Sequence, residues 1–275
     1  MRVVRYSDPQ AFWRDAQAFL ERDELGNTQL LALGARYAHE AVADAPTGYL
    51  LTADGHPAGA AMLNRQGTLF LSPLTGAAVR ALHDAIAGEP AAVTDVVAEA
   101  DTARAYVAQM GVGFETHVGL RLYRLETVQP VPGVPGTLRR AGETDFALLC
   151  DWQQAFIDEI AARNLPDTPA TMVRRRLDGN GAWLWEVEGA PVAHGGHRAT
   201  PIRSARIAPV YTLPAHRGRG YAAALVAGMC RALLAEGRSP LYLFADTTNP
   251  VANGVYRRVG FEPVGEHLHL MRSAI

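Results

Sequence analysis

Cysteine is scarce: the chain has two in 275 residues, Cys150 and Cys230. Both sit in apolar helical patterns, LLCDW and LVAGMCRAL, so buried free thiols are expected. No Cys/His spacing resembles a zinc site, and no metal is expected. An excess of charge of one sign is also missing. Basic and acidic residues number 26 and 28, a net charge of -2, which excludes the concentrated basic field of a nucleic-acid binder. The one basic run, Arg174 to Arg176, is short and reads as a solvated helix face. No apolar run reaches the ~18 residues of a membrane span. The opening MRVVRYSDPQAFWRDA has no long apolar segment, so no signal peptide is expected and the cytoplasm is the expected location.

Hydrophobic residues make up 48 % of the chain, enough for one large core or two domains of ordinary size. Apolar spacing predicts helices over 11–24 and 27–39, then a strand over 48–55. Two strands with a turn at Gln66–Gly67 follow, then a helix over 75–87, a strand over 91–99, a helix over 102–110 and extended chain over 113–128. The texture changes at 129–145, where prolines and glycines cluster. This places a boundary near 130–137 and predicts domains of 1–130 and 131–275. After it come helices over 143–156 and 168–178, strands over 182–187 and 191–199 joined at Glu188–Gly189, and a strand over 205–212. A helix over 219–236, a strand over 240–245, a helix over 249–258 and a final strand over 260–272 complete the order. The second half repeats the order of the first, which suggests an internal duplication.

Residues 207–222, IAPVYTLPAHRGRGYA, carry the strongest local signal: a strand, a short turn, and an arginine-glycine loop opening a helix. Main-chain N–H groups at a helix N-terminus cradle phosphates. Gly218 and Gly220 permit a tight turn and close backbone approach, and Arg217 and Arg219 add positive charge. The apolar face of Leu225, Val226, Met229 and Leu233 packs the helix on a sheet. The loop lacks the Gly-Lys-Ser/Thr ending of a Walker A motif, and no GxGxxG occurs in it. A glycine turn with two surface arginines is the bland alternative.

Here the sequence resembles the GCN5-related N-acetyltransferase (GNAT) family, whose pyrophosphate loop reads Arg/Gln-x-x-Gly-x-Gly/Ala and matches Arg217, Gly220 and Ala222. A second block, ADTTNPVANGVYRRVGF at 245–261, resembles the family's Asn-Pro-x-x-x-x-x-Tyr segment through Asn249, Pro250, Tyr256, Gly260 and Phe261. The resemblance covers about 140–275, and the first half is similar to a degenerate copy without the loop. It implies an α/β fold (α+β in some schemes) of two tandem domains, each a mixed central sheet flanked by helices. It also implies acetyl-CoA, or another acyl-CoA, as cofactor. The pyrophosphate falls to Gly218, Arg219, Gly220, Tyr221 and Ala222, and the pantetheine arm to the strand at Val210, Tyr211 and Thr212. Asn249, Ala252 and Asn253 join the cofactor contacts, and Tyr256 matches the residue that protonates the departing thiolate. For Tyr256 the alternative is ordinary aromatic packing.

The general base stays open among Glu159, Glu186, His194 and His197, with ordered water as another route. His194 and His197 are three apart on one strand, so only one faces the cleft. Trp152, Phe156, Trp183 and Trp185 are candidate acceptor-pocket walls, with core packing as the alternative. The chosen sets are Tyr256 and Glu159 as catalytic residues, and Phe156, Glu159, Trp185 and His197 for the acceptor. The expected activity is N-acetylation of a primary amine on a small molecule or amino acid. The alternative is a non-catalytic acyl-CoA-binding or sensor protein. Neither nucleic acid nor membrane is expected as a partner. A monomer is expected, with a homodimer as the alternative.

Overall fold

The computed structural model describes residues 1–39, 45–87, 93–160, 167–200 and 202–273. Gly88 and the first residues of the strand expected over 91–99 lie outside them. Two compact units emerge: one holds Met1–Arg121, Asp246–Thr248 and Gly265–Ile275, the other Leu122–Ala245 and Asn249–Val264.

The first unit opens with β1 (Arg2–Tyr6), α1 (Pro9–Leu20) and α2 (Thr28–His39). α1 begins where the Asp8 carboxylate accepts from the Gln10 N–H and Pro9 fills the first turn, a position where a missing N–H costs nothing. It ends earlier than expected, its last residues becoming a 3-10 turn at Glu21–Asp23. Next come β2 (Thr47–Ala53), β3 (His56–Leu63), β4 (Thr68–Leu71), α3 (Gly76–Ile86), β5 (Asp95–Glu99), α4 (Ala100–Met110) and β6 (Phe114–Leu125). β2 shows why both helix pairs are needed. Tyr49 and Leu51 enter a cluster with Leu82 and Tyr106 of α3 and α4, while Leu50 joins Phe12, Leu20 and Leu30. Alternate residues of a strand serve opposite faces.

The second unit contains β7 (Thr137–Arg140), α5 (Phe146–Glu159), α6 (Pro169–Asp178), β8 (Ala182–Val187), β9 (Ala190–Ala199), β10 (Ala205–Thr212), α7 (Tyr221–Ala235), β11 (Leu241–Asp246) and α8 (Pro250–Val259). β12 (Glu262–Arg272) closes the order. On β8, Trp183 and Trp185 face a core with Leu225 and Met229 of α7, whereas Leu184 packs with Leu149, Trp152 and Tyr211 on the α5 side. Burying Leu225 and Met229 completely contributes on the order of 1.5–3 kcal/mol each and fixes α7 on the sheet. The Arg139 guanidinium grips the Asp145 carboxylate at 2.7 and 2.9 Å, tying β7 to the start of α5. That contact holds the Asp145 carboxyl below the usual carboxylate range.

The strands follow one hydrogen-bonded order, β1-β2-β3-β4-β5-β12-β6-β11-β10-β9-β8-β7. The architecture is α/β, a mixed sheet with flanking helices, but the separate sheet expected for each half is replaced by a single order. The residue ranges of β6, β11 and β12 each fall partly in either unit. β12 pairs antiparallel with β5 from His267↔Glu99 to Met271↔Asp95. The proline-glycine segment after β6 lies within the second unit, and its Val128, Val131 and Val134 pack on the core beneath α7.

Candidate active site

The site grows from the parting of two parallel strands. β10 and β11 pair only at Ala205↔Leu241 and Arg206↔Tyr242, although β10 continues to Thr212. On its other edge β10 stays paired with β9, and the register shifts by one residue between Ile207 and Val210. This bulge turns β10 away from β11. Beyond it, the Leu213 N–H donates to the Val192 carbonyl of β9. Alternation along the strand turns the main chain of Val210 and Thr212 to the opposite edge, where β11 has left. The Thr212 carbonyl accepts there from Arg217 Nε at 3.0 Å.

The loop follows at once. Gly218 and Gly220 have φ of +76° and +85°, a region that side-chain-bearing residues avoid. Gly220 is the N-cap of α7 and supplies no side-chain acceptor, so the first N–H groups of the helix have no capping partner. α1, α6 and α8 are instead capped by Asp8, Thr168 and Asn249. Space around Gly218 is open, with no heavy atom within 4 Å of where a Cβ would stand. Free N–H groups, the positive end of the α7 dipole and the exposed Arg219 fit an anionic pyrophosphate. Tyr221 is buried and fixes the loop from below, while Ala222 is half-buried.

Arg217 adopts another arrangement than a free phosphate ligand. Its guanidinium contacts Glu159 Oε2 at 2.5 Å and lies 5.6 Å from the centre of the Tyr211 ring. Glu159 ends α5, so the pair ties that helix to the loop. Both side chains are half exposed, where such pairs contribute about 0–1 kcal/mol. We expect Glu159→Gln to shift stability by under about 1 kcal/mol and to leave kcat within a few-fold. A fall of about 100-fold or more, the scale of general-base loss, would assign Glu159 as the base; melting curves and steady-state rates decide.

α8 brings the second block into place. The Asn249 side chain caps the helix by accepting from the Ala252 N–H at 3.0 Å. Asn253 is buried, accepts from the Tyr123 hydroxyl at 2.7 Å and donates to the Asn249 carbonyl at 2.6 Å. The side chains of both asparagines thus serve α8 and β6. Tyr256 packs its ring at 6.2 Å from Tyr123 and 6.0 Å from Phe261. Burial pushes its phenol up to about 12.

The acceptor candidates divide. Phe156 lines the α5 side with Trp152 and Tyr211. Trp185 lies on the α7 side, where its indole N–H donates to the Pro135 carbonyl at 3.0 Å under the proline-glycine segment. His197 accepts from the Trp183 indole at 3.0 Å, within the field of Glu236 and Arg238. Glu236 marks the C-terminal end of α7, whereas the loop forms its N-terminus. His197 is therefore not brought to the loop, whereas Trp185 lies under Pro135, next to the Val134 that abuts Gly220. Glu186 is also committed, to Arg139 at 2.8 Å.

His194 is the histidine on the α5 side, opposite Tyr211 across the β9–β10 ladder and 6.3 Å from the Trp152 ring. Arg176 joins it there and donates to Gln153 Oε1 at 2.7 Å. Only Arg174 and Arg175 of the basic run form a solvated face, pairing with Glu143 and Asp167. Helical spacing carried this signal: Arg176 lies three residues after the buried Val173.

Among the described residues no group of three or more His, Cys, Asp or Glu could hold a metal ion, and no helix is long and apolar enough to cross a membrane. Residues 146–261 match the acetyltransferase (GNAT) family model. No curated protein matches the chain. Its fold is similar to a GNAT-family acetyltransferase from Colwellia psychrerythraea, with TM-score 0.66 and 11 % identity over 99 % of this chain and 100 % of that one. It is also similar to a GCN5-related N-acetyltransferase from Sphaerobacter thermophilus, with TM-score 0.62 and 19 % identity over 99 % and 97 %. A tandem GNAT protein from the clavulanic acid biosynthesis pathway matches with TM-score 0.58 and 13 % identity over 100 % and 99 %.

Proposed function

We propose that the GNAT acetyltransferase domain formed by residues 146–261 moves an acetyl group from acetyl-CoA to a primary amine of a small molecule or amino acid. The observation that carries this is the uncapped glycine start of α7 beside the parted β10 and β11. Main-chain N–H groups from Gly218 to Ala222 bind the pyrophosphate, with Arg217 and Arg219 beside it. The free edge of Val210, Tyr211 and Thr212 aligns the pantetheine arm. Bound there, acetyl-CoA supplies an activated acetyl group as a thioester. The Val210 N–H is aimed to donate to the thioester oxygen. Tyr256 holds the proton given to the sulfur as the carbon–sulfur bond breaks, and its phenol recovers a proton from solvent. Asn249, Ala252 and Asn253 act by fixing the α8 turn that carries Tyr256.

We extend the proposal to the whole chain. Both halves run β-α-α-β-β-β-α-β-α-β. Residues 1–130 are a degenerate copy of 131–275: between β4 and α3 the first half has only Ser72, Pro73, Leu74 and Thr75, without an arginine-glycine loop. The kinship in fold with a tandem GNAT protein supports this reading. A monomeric, cytoplasmic enzyme is the form proposed.

Calorimetric titration with acetyl-CoA, followed by thiol release with an amine panel, tests the activity. We expect micromolar binding that is lost in an Arg217→Ala, Gly220→Val double variant. No binding by folded wild-type protein would overturn the assignment.

A further inference from the structure

Two polar side chains on the α5 side of the second unit stand out: a buried histidine without a hydrogen-bond partner and a half-buried arginine without a carboxylate. His194 is 1 % exposed, and neither ring nitrogen has a hydrogen-bond partner. A buried imidazole left so forfeits interactions that native interiors nearly always provide. Arg176 stands beside it. Its one hydrogen bond runs to the neutral Gln153, and no carboxylate of the described residues faces it. The other two arginines of that run each hold a carboxylate. Arg176 is half-buried, and a guanidinium set that deep without a counter-ion is costly.

The surroundings give this pair a direction. Arg176 Cδ lies 2.9 Å from where a Cβ on residue 196 would stand, so Gly196 leaves room for the arginine stem. The same spot is 3.0 Å from Pro209 Cδ and 2.6 Å from the Ala208 carbonyl. The stem therefore runs beside the bulge of β10, where the strands part. Tyr211, the first buried ring beyond the bulge, faces His194 and touches Trp152.

We propose that Arg176, Gln153 and His194 receive the carboxylate of the acceptor, so that the acceptor class is an amino acid rather than a simple amine. This rests on the acetyl-transfer reading above and names its second substrate. The fork of Arg176 suits a carboxylate bidentately, and Gln153 holds that fork in place. Burial lowers Arg176 to about 10, still a cation at neutral pH. Burial and the Arg176 charge lower His194 to about 3, leaving a neutral ring with one donor and one acceptor. Such a ring hydrogen-bonds and orients; it is too weak a base to take the amine's proton. His194 is a positioning residue, and the amine loses its proton to water.

The test uses the full chain and L-amino acids, each set beside its decarboxylated amine and its carboxamide. Acetyl-CoA binding is titrated first in the same preparation. We expect kcat/KM for at least one amino acid to exceed that of its decarboxylated amine by on the order of 100-fold. Arg176→Gln should collapse the ratio towards one by raising the amino acid's KM, with kcat and acetyl-CoA affinity within a few-fold of wild type. Arg176→Lys should restore part of the ratio, and His194→Ala should reduce it. Absence of acetyl-CoA binding by wild type overturns the acetyl-transfer reading and this inference with it. Intact acetyl-CoA binding with decarboxylated amines preferred, or with no amino acid accepted, overturns this inference alone. An equal loss on every amine in Arg176→Gln assigns Arg176 a structural role and also overturns it. Should that variant fail to fold, the wild-type ratio and His194→Ala still decide.

Discussion

Gly220→Val should weaken acetyl-CoA binding by at least about 100-fold while the protein still melts cooperatively. Two effects combine. The backbone at Gly220 has φ of +85°, and a β-branched residue there stores about 1–3 kcal/mol of strain. A Cβ would also stand 3.1 Å from Val134 Cγ2, so the proline-glycine segment must yield as well. Either relaxation rotates the peptide planes at the start of α7, and the N–H groups no longer converge on one anion. Calorimetric titration reads the affinity, and circular dichroism on heating reads the fold. Gly218→Ala is the comparison: its φ is also positive, but the space around it is open, so the binding loss should be smaller. Wild-type affinity in Gly220→Val would remove the loop as the phosphate site.

Tyr256→Phe should lower kcat by about 10²–10³-fold with KM for acetyl-CoA little changed. The ring contacts with Tyr123 and Phe261 survive the substitution, so packing and cofactor binding remain while the donor is lost. Because burial pushes the phenol up to about 12, the wild-type donor is intact throughout the neutral range. The same shift links to stability. An acid whose folded value lies above its unfolded value contributes fully below the unfolded value, about 10 for tyrosine, and loses that contribution as pH rises towards 12. Cys230, also pushed to about 12 by burial, adds to the alkaline decline from the ordinary thiol range upward. Melting temperatures measured from pH 9 to 12 should therefore fall, and fall less in Tyr256→Phe. Unchanged kcat in that variant would assign Tyr256 to packing.

The loop was readable in the sequence because its chemistry is local. Glycine tolerates positive φ wherever it occurs, and Arg217, Gly218 and Gly220 lie within one turn of the helix they open. Element order was readable for a similar reason: β8 and β9 alternate and meet at Glu188–Gly189, both with positive φ. What failed was information held between elements. Strand period placed His194 and His197 on opposite faces but could not say which face α5 and α6 would cover. Trp185 shares a face with Trp183, as expected, but nothing in β8 shows that residues 128–136 fold back over it. The pairing of Glu159 with Arg217 joins a helix end to a distant loop, which sequence spacing does not reveal. For Arg176 the helical spacing from Val173 was present, but three adjacent charges masked it.

The pairing of β12 with β5 has a consequence during synthesis. β5 gains β4 as a neighbour early, but its other neighbour, reached through His267↔Glu99, lies far later in the chain. While the ribosome makes the intervening helices and strands, that side of β5 keeps open main-chain donors and acceptors, and Leu268 and Leu270 are missing from the core they complete. The half that holds β5 is thus made before the strand that completes it. Nascent chains stalled before β12 present an edge that another strand can occupy, so shielding by a chaperone matters most for the half without the glycine loop.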